Sequence, residues 1–594
     1  MNRLSVLNNK FTKLCGNLRS GSKLFEGTDA IGWAIAPLVI IAGIWLWSVL
    51  DQFAVSLIGQ GSSFTIWSIW WLQRAIWLNY DWMLTNYAVT PFQQNLLLFL
   101  SPISSLIYAL LRGLQLSIPL AFNLLYIIAI LFTGWSMFAY LRYCQVPRSW
   151  ASFCAMLWAT NPVMIYHLFE GRPDLMALGW MPLGCWAWDV MRTNPHPNRL
   201  GWRLALIGLG VIFTSVQLAV AALAVWLPYI AIGLFRAVPG DRRWLFNSVV
   251  WQSLVVLAVI MAYPLPGILK TWAGLAPESQ AIPFLPEVWQ WSAGTILMIS
   301  LWMGLIGLVA WTWRMLTPNS VDPPTLLAEQ RTNGLLWLSI SGVTLLVALV
   351  TVWGWLSGLP AWLTPVDWLA AASVGCCWLI AVYLPLWWQR SLPRKQAFRA
   401  AVACLPVGIL MLAIVLLPAP PINAWQSTTA YAAIAHEGGD YAVLEVPFGL
   451  KSLSSGQTFG TGAKLQQYAA AHHKRSLNGI LIGDGREAFQ HYTTSPLFRL
   501  LAGEPMTPTP AIAAELKQTM QQEQIGYLVV HPEQLPAADR TLIFNFLNAQ
   551  PQNLCKVFTD SVTVVYRTSW HPFGCTRKLG SLPTAATAGL EAVS

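Results

Sequence analysis

Ile31-Gly-Trp-Ala-Ile-Ala-Pro-Leu-Val-Ile-Ile-Ala-Gly-Ile-Trp-Leu-Trp-Ser-Val-Leu50 is a run without a charge, and Asp51 closes it. A helix of that length and composition spans the ~30 Å hydrocarbon core of a bilayer. Ahead of it lie Arg3, Lys10, Lys13, Arg19 and Lys23. Cations collect on the cytoplasmic side of a first span, which places the N-terminus in the cytoplasm. Residues 1–30 lack the apolar run and cleavage site of a signal peptide, so the first span is expected to stay as an anchor.

Further apolar stretches lie at about 119–141, 149–168, 173–191, 204–218, 219–235, 245–266, 292–313, 334–356, 367–389 and 400–418. Threaded alternately from a cytoplasmic start, they put nineteen cations on the inner side and leave Arg74, Arg112, Arg172 and Lys270 outside. That bias supports about eleven crossings. The stretch Leu96–Leu114 is read as re-entrant or interface-lying, because a full crossing there would invert every later loop. Composition agrees: 56% of the 594 residues are hydrophobic, only 10% are charged, and mean hydropathy is +0.52. A soluble chain averages about 25% charged residues. The net charge of +10 lies wholly before residue 419, in short loops, since the rest is balanced. That pattern excludes a nucleic-acid binder, which would gather its cations on a soluble face.

An odd number of crossings exports the chain beyond Leu417-Pro-Ala-Pro-Pro421, where proline ends the last helix. Tyr441–Val446, Gly526–Val530 and Val562–Tyr566 read as strands and Ala511–Glu523 as a helix. The fold class is therefore an all-α polytopic membrane bundle with a small C-terminal α/β domain outside. Its parts are a cytoplasmic segment (1–30), a transmembrane domain (31–418) with a long first outer loop (51–118), the outer domain (419–570) and a disordered tail (571–594). Cys144, Cys154, Cys185, Cys376, Cys377 and Cys404 lie in or beside apolar segments, whereas Cys555 and Cys575 are candidates for a disulfide in an oxidising compartment.

The first outer loop holds Trp67, Trp70, Trp71, Arg74 and Trp77 at helical spacing. This predicts a helix lying in the outer membrane interface, either as an aromatic belt alone or as the border of a lipid-substrate groove. Asp51 and Asp81 flank it. A carboxylate there can serve as a general base or hold a divalent cation, or it can be a solvated loop acid. A second outer cluster is Tyr166-His167-Leu-Phe-Glu170-Gly171-Arg172-Pro173-Asp174. Ionisable groups between two apolar runs point to a functional site if they face a cavity, and otherwise mark a solvated hairpin. Arg172 offers a planar fork for a phosphate. In the outer domain His472-His473-Lys474-Arg475 reads as exposed polar surface or as a contact for an anionic headgroup. Phosphate-binding glycine loops, nucleophile elbows and Cys-x-x-Cys pairs are missing from the sequence, and no cofactor motif stands out beyond that divalent cation.

In order along the chain, these features resemble the C-type (GT-C) superfamily of membrane glycosyltransferases, in particular bacterial members with a C-terminal outer domain. The residues that carry the resemblance are the acid after the first span and the Trp67–Trp77 helix. They continue with Glu170-Gly171-Arg172 leading to Trp180-Met181-Pro182-Leu183, then Leu444-Glu445-Val446-Pro447, Gln467-Tyr468, His472-His473-Lys474 and Asn478-Gly479. The resemblance implies transfer of a sugar from a polyprenyl-phosphate donor to an acceptor on the outer face of a bacterial inner membrane. It implies Asp51 as base, Arg172 and His473 near the donor phosphate, and Asp81, His167, Glu170 and Asp174 shaping the pocket. Lipid-linked sugar and membrane lipids are the implied partners. Relatives commonly carry Gly-Asp before the aromatic motif, where this chain has Gly61-Ser62-Ser63. That departure keeps a second reading open, a non-catalytic scaffold or lipid-linked-glycan-binding component of the same fold.

Overall fold

The computed structural model of the chain describes scattered positions from 36 to 49, then 50–193 with a few gaps. It resumes over 202–262, 324–352, 365–389 and 420–575, again with short gaps, and includes Leu579. The expected spans at 292–313 and 400–418, Asp81, and nearly all of the two termini lie outside the described residues. Leu38, Ala42, Leu46 and Val49 are buried at the spacing of one helix face, which makes the first apolar run part of the membrane-domain core.

After the turn at 50–55 come strand β1 (Ser56–Ile58) and helix α1 (Ser62–Leu78). A two-residue ladder, β2 (Leu84–Thr85) with β3 (Gln94–Asn95), leads to α2 (Pro102–Gly113). Twelve residues of helix rise about 18 Å, too short to cross a bilayer. α2 is amphipathic, with Ser104, Ser105 and Tyr108 buried and Leu106 and Leu110 exposed.

α3 (Ile118–Tyr143) starts at Ser117, whose hydroxyl accepts the Leu120 N–H, with Pro119 in its first turn. The expected span at 149–168 is instead two helices, α4 (Arg148–Ala159) and α5 (Pro162–Glu170). Pro162 has no N–H to continue the ladder, and Asn161 caps the new helix through Val163 N–H. The expected span at 173–191 likewise begins late. Gly171 ends α5 at a left-handed φ of 87°, residues 173–179 turn, and α6 runs from Trp180 to Thr193. α7 (Trp202–Thr214) and α8 (Val216–Arg236) divide at Ser215, which caps Leu218 N–H. α9 (Pro239–Ala262), α10 (Pro324–Val352) and α11 (Pro365–Gln389) complete the described helices of this part. Among the described residues, α3 and α8 are long and apolar enough to cross a membrane, and Trp202–Thr214, Asn333–Val347 and Trp368–Tyr383 are shorter apolar helices.

Beyond residue 420 the expected strands and helix appear. β4 (Ile422–Ala424) precedes α12 (Thr429–His436), β5 (Ala442–Val446), β6 (Gly449–Ser452) and β7 (Thr458–Gly460). A 3-10 turn at Gly462–Tyr468 and α13 (Ala469–His472) lead to β8 (Arg475–Ser476) and β9 (Gly479–Leu481). Three longer strands come next: β10 (Ile525–Val530), β11 (Leu554–Thr559) and β12 (Val564–Thr568). The main sheet has the order β11-β12-β10-β5-β8, with β5 parallel to both β10 and β8 and the other pairs antiparallel. Cys555 and Cys575 are joined as a disulfide.

The two parts are not joined by a simple linker. β1 of the first outer loop pairs antiparallel with β4, in the register Ser56↔Ala424, Leu57↔Asn423 and Ile58↔Ile422. Helix α1 packs into the outer domain: Phe64, Trp67, Trp70 and Trp71 share one apolar core with Leu444, Val446, Phe448, Leu528 and Val530. The helical spacing of the tryptophans is confirmed, but their expected place in the membrane interface is corrected. Trp67, Trp70 and Trp71 are buried by protein, Arg74 is half-buried, and only Trp77, 87% exposed, keeps an open ring. Spacing along a helix shows which residues share a face, not what covers that face.

Candidate functional site

The C-terminal end of α5 meets the segment at 59–61 backbone to backbone. Gln60 N–H donates to Phe169 O (2.8 Å) and Gly61 N–H to Glu170 O (2.8 Å), while Gly59 N–H donates to Pro421 O (2.8 Å). Three glycines permit this approach. A Cβ on Gly59 would stand 2.3 Å from the Gly171 Cα, one on Gly61 2.7 Å from Glu170 O, and one on Gly171 2.5 Å from the Ser62 nitrogen. Gly59 and Gly171 also hold φ values of 97° and 87°, which side chains disfavour.

Helix α3 fixes the loop from below. Asn123 Nδ2 donates to Phe53 O and Ser56 O (both 2.7 Å), its Oδ1 accepts Ile58 N–H (3.2 Å), and Tyr126 OH donates to Ile58 O (2.8 Å). Tyr126 lies within electrostatic reach of Asp174, Glu170 and Arg172. From the outer domain, Asn423 Nδ2 donates to Gly59 O and to Ser62 Oγ (both 2.8 Å). Ser62 is fully buried, and its hydroxyl donates to Gly59 O (2.7 Å). Gly59, Asn123, Tyr126 and Asn423 carried no signal that reading along the chain could recognise, because each acts through a partner distant in sequence.

The cluster at 167–174 is brought together as two pairs. His167 Nδ1 meets Glu170 Oε2 at 2.9 Å, with the His167 side chain 1% and the Glu170 side chain 24% exposed. Arg172 forms a buried fork on Asp174, Nε to Oδ1 at 3.0 Å and Nη2 to Oδ2 at 2.7 Å. Asp51 stands apart on the turn at 50–55 and is exposed.

The expectation that His472-His473-Lys474-Arg475 is exposed surface is corrected: His472, Lys474 and Arg475 are buried and His473 is partly so. The 3-10 turn and α13 press this segment against α1, where Trp70 Nε1–H donates to His473 Nδ1 (2.8 Å). Trp70 is eight residues beyond Ser62, about 12 Å along the helix axis. His473 therefore meets α1 about two turns beyond its start at Ser62. Burial, and then the charges of Arg74, Lys474, Arg112 and His436, bring the His473 imidazole down to about 4. Lys474 Nζ is held by Glu437 O (2.6 Å) and Gly439 O (3.1 Å).

Beneath this segment lies a buried carboxylate from the Leu444-Glu445-Val446-Pro447 motif, for which the sequence suggested no contacts. Glu445 on β5 accepts from Tyr431 OH (3.1 Å to each oxygen) and pairs with His531 Nε2 (2.7 Å), with His472 Nε2 at 3.7 Å. Burial raises the Glu445 carboxyl and holds the His472 imidazole well below its usual range. His472 Nδ1 accepts the Lys474 N–H (3.1 Å), so the proton of the neutral ring sits on Nε2, facing Glu445. Among the described residues, no three His, Cys, Asp or Glu side chains are grouped to hold a metal ion.

The architecture resembles solved membrane enzymes. The mycobacterial arabinofuranosyltransferase AftD superposes with a TM-score of 0.54 at 14% identity, over 89% of this chain and 40% of AftD. The chain has the C-type membrane glycosyltransferase fold. It spans about 40% of the length of AftD, and the identity of 14% speaks for the fold alone. Looser likenesses are to the oligosaccharyltransferase AglB of Archaeoglobus fulgidus, solved with an inhibitory peptide and a dolichol-phosphate (TM-score 0.45, 12% identity, 84% of this chain and 69% of AglB). ArnT of Cupriavidus metallidurans, solved with undecaprenyl phosphate, gives a TM-score of 0.32 at 11% identity over 93% of this chain and 99% of ArnT. No protein-family model and no curated protein sequence matches the chain. In the C-type fold of this chain, the contact between the first outer loop and the α5 end joins three separate pieces of sequence: residues 56–62, 167–174 and 421–424.

Proposed function

We propose that this chain transfers a sugar from a polyprenyl-phosphate donor to an acceptor on the outer face of a bacterial inner membrane. The observation that carries the reading is the seating of Gly59–Ser62 on Glu170–Gly171, beside a partly exposed carboxylate and within the C-type fold. Arg172 lies at this junction and is the cation for the donor phosphate, with Asp174 fixing the plane of its guanidinium. His473 is assigned to docking the C-terminal domain on α1, through its contact with Trp70. Asp51 and Glu170 are the candidate carboxylates for proton transfer, with His167 paired to Glu170.

The test is transfer by the full-length protein in proteoliposomes, using a panel of tritiated undecaprenyl-phosphoryl pentoses and hexoses with octyl glycoside acceptors. Label passing to an acceptor, and lost in Arg172→Ala, is the expected result. The second reading, a component that binds lipid-linked glycan without turning it over, is favoured by buried Ser62, whose hydroxyl is taken up within the fold. Saturable binding of undecaprenyl phosphate with no turnover of any donor would establish that reading and overturn the first.

A further inference from the structure

The structure assigns Glu170, oriented by His167, as the carboxylate that takes the acceptor's proton, a role that the first outer loop does not fill. The inference rests on the proposed sugar transfer and names the catalytic residue within it.

Four observations converge on this side chain. The loop's residue at the junction is Ser62, which is fully buried, donates to Gly59 O and accepts from Asn423 Nδ2. It is a hydroxyl committed to holding the loop. The nearest acid before it, Asp51, lies on an exposed turn, and the buried strand β1 runs between it and the junction. Of the two carboxylates in the 167–174 cluster, Asp174 is buried and both its oxygens face the Arg172 guanidinium. Glu170 is the other. It is 24% exposed, its main-chain carbonyl accepts Gly61 N–H, and its side chain is fixed through Oε2 by a histidine that is 1% exposed. A buried partner of that kind locks the rotamer and leaves Oε1 as the oxygen to meet a substrate.

The glycines explain why a helix-end residue can act here. Without Cβ atoms on Gly59, Gly61 and Gly171, the loop backbone lies directly on the last turn of α5, the turn that carries Glu170. In the reaction, Glu170 Oε1 accepts the proton of the acceptor hydroxyl. The acceptor oxygen forms a bond to the anomeric carbon, and the bond from that carbon to the phosphate oxygen breaks. The polyprenyl phosphate leaves with the bonding electron pair. Nothing is oxidised or reduced. His167 is a positioning residue, donating from Nδ1 throughout.

The experiment uses the full chain in proteoliposomes, the same panel of undecaprenyl-phosphoryl sugars, and in parallel the affinity for undecaprenyl phosphate. Glu170→Gln is expected to lower kcat by about 100-fold or more, the usual scale for a lost general base, while the Kd for undecaprenyl phosphate stays within about twofold. His167→Phe should lose about tenfold in kcat, and His167→Gln, which can still donate to Glu170, should recover most of it. Wild-type turnover that persists undiminished in Glu170→Gln overturns this assignment and leaves the proposed transfer standing. A wild-type protein that turns over no donor overturns both.

Discussion

His473 shows how a single side chain can couple the two parts of the molecule to pH. Its ring accepts the Trp70 N–H, and burial, with Arg74, Lys474 and Arg112 close by, holds it down to about 4. An unfolded histidine titrates near ~6.5. The folded chain thus binds this proton less readily than the unfolded one. The resulting stability is fully present above about 6.5 and is lost as pH falls toward 4. His473→Asn keeps a side-chain acceptor for Trp70 and a residue type that tolerates the left-handed φ of 55°. We expect its melting temperature to fall less steeply than the parent's between pH 6.5 and 4. Identical slopes in the two proteins would show that His473 contributes nothing to the acid limb.

At the scale of elements, α1 is the piece whose surroundings change its meaning. Its tryptophans form the core that holds the outer domain on the membrane domain, and β1 pairing with β4 adds a second join. Trp67 is fully buried there and Trp77 is open. Trp67→Ala should cost about 3–5 kcal/mol, seen as a large drop in the unfolding temperature of the purified protein. Trp77→Ala should stay within about 0.5 kcal/mol. Equal losses in both would mean that α1 is held by the membrane surface after all. The same element separates two functions in space: its start carries the junction with Glu170, and its middle carries the His473 contact.

For the whole molecule, the sidedness derived from nineteen inner cations against four outer ones is a direct prediction. Lys517, exposed on the helix Pro510–Gln522, is a marker for the C-terminal domain, and Cys15 is a native marker for the N-terminal segment. Lys517→Cys should react with a membrane-impermeant maleimide in intact spheroplasts, whereas Cys15 should react only after lysis. Cys15 labelling in intact spheroplasts would reverse the orientation. An outer location also suits the Cys555–Cys575 disulfide, since such bonds persist in oxidising compartments.

The sequence alone determined what depends on local pattern and composition. The long α3, the strands at 442–446 and 525–530, the helix at 510–522 and the helical spacing of Trp67, Trp70 and Trp71 were all legible in it, because periodicity and hydropathy are properties of consecutive residues. It also singled out Glu170-Gly171-Arg172 as a place where charge interrupts apolar runs. Element ends were less legible. The split at Asn161-Pro162 and the late start of α6 depend on capping and turn geometry that a hydropathy window averages away. Only the tertiary structure decided which surfaces these elements share. It buried the tryptophans in protein, brought residues 421–424 and 56–62 to the end of α5, and divided the 167–174 cluster into a buried Arg172–Asp174 fork and a partly exposed Glu170 paired with His167. The first two outcomes depend on contacts between residues tens to hundreds of positions apart, and the second also on the missing Cβ atoms of three glycines.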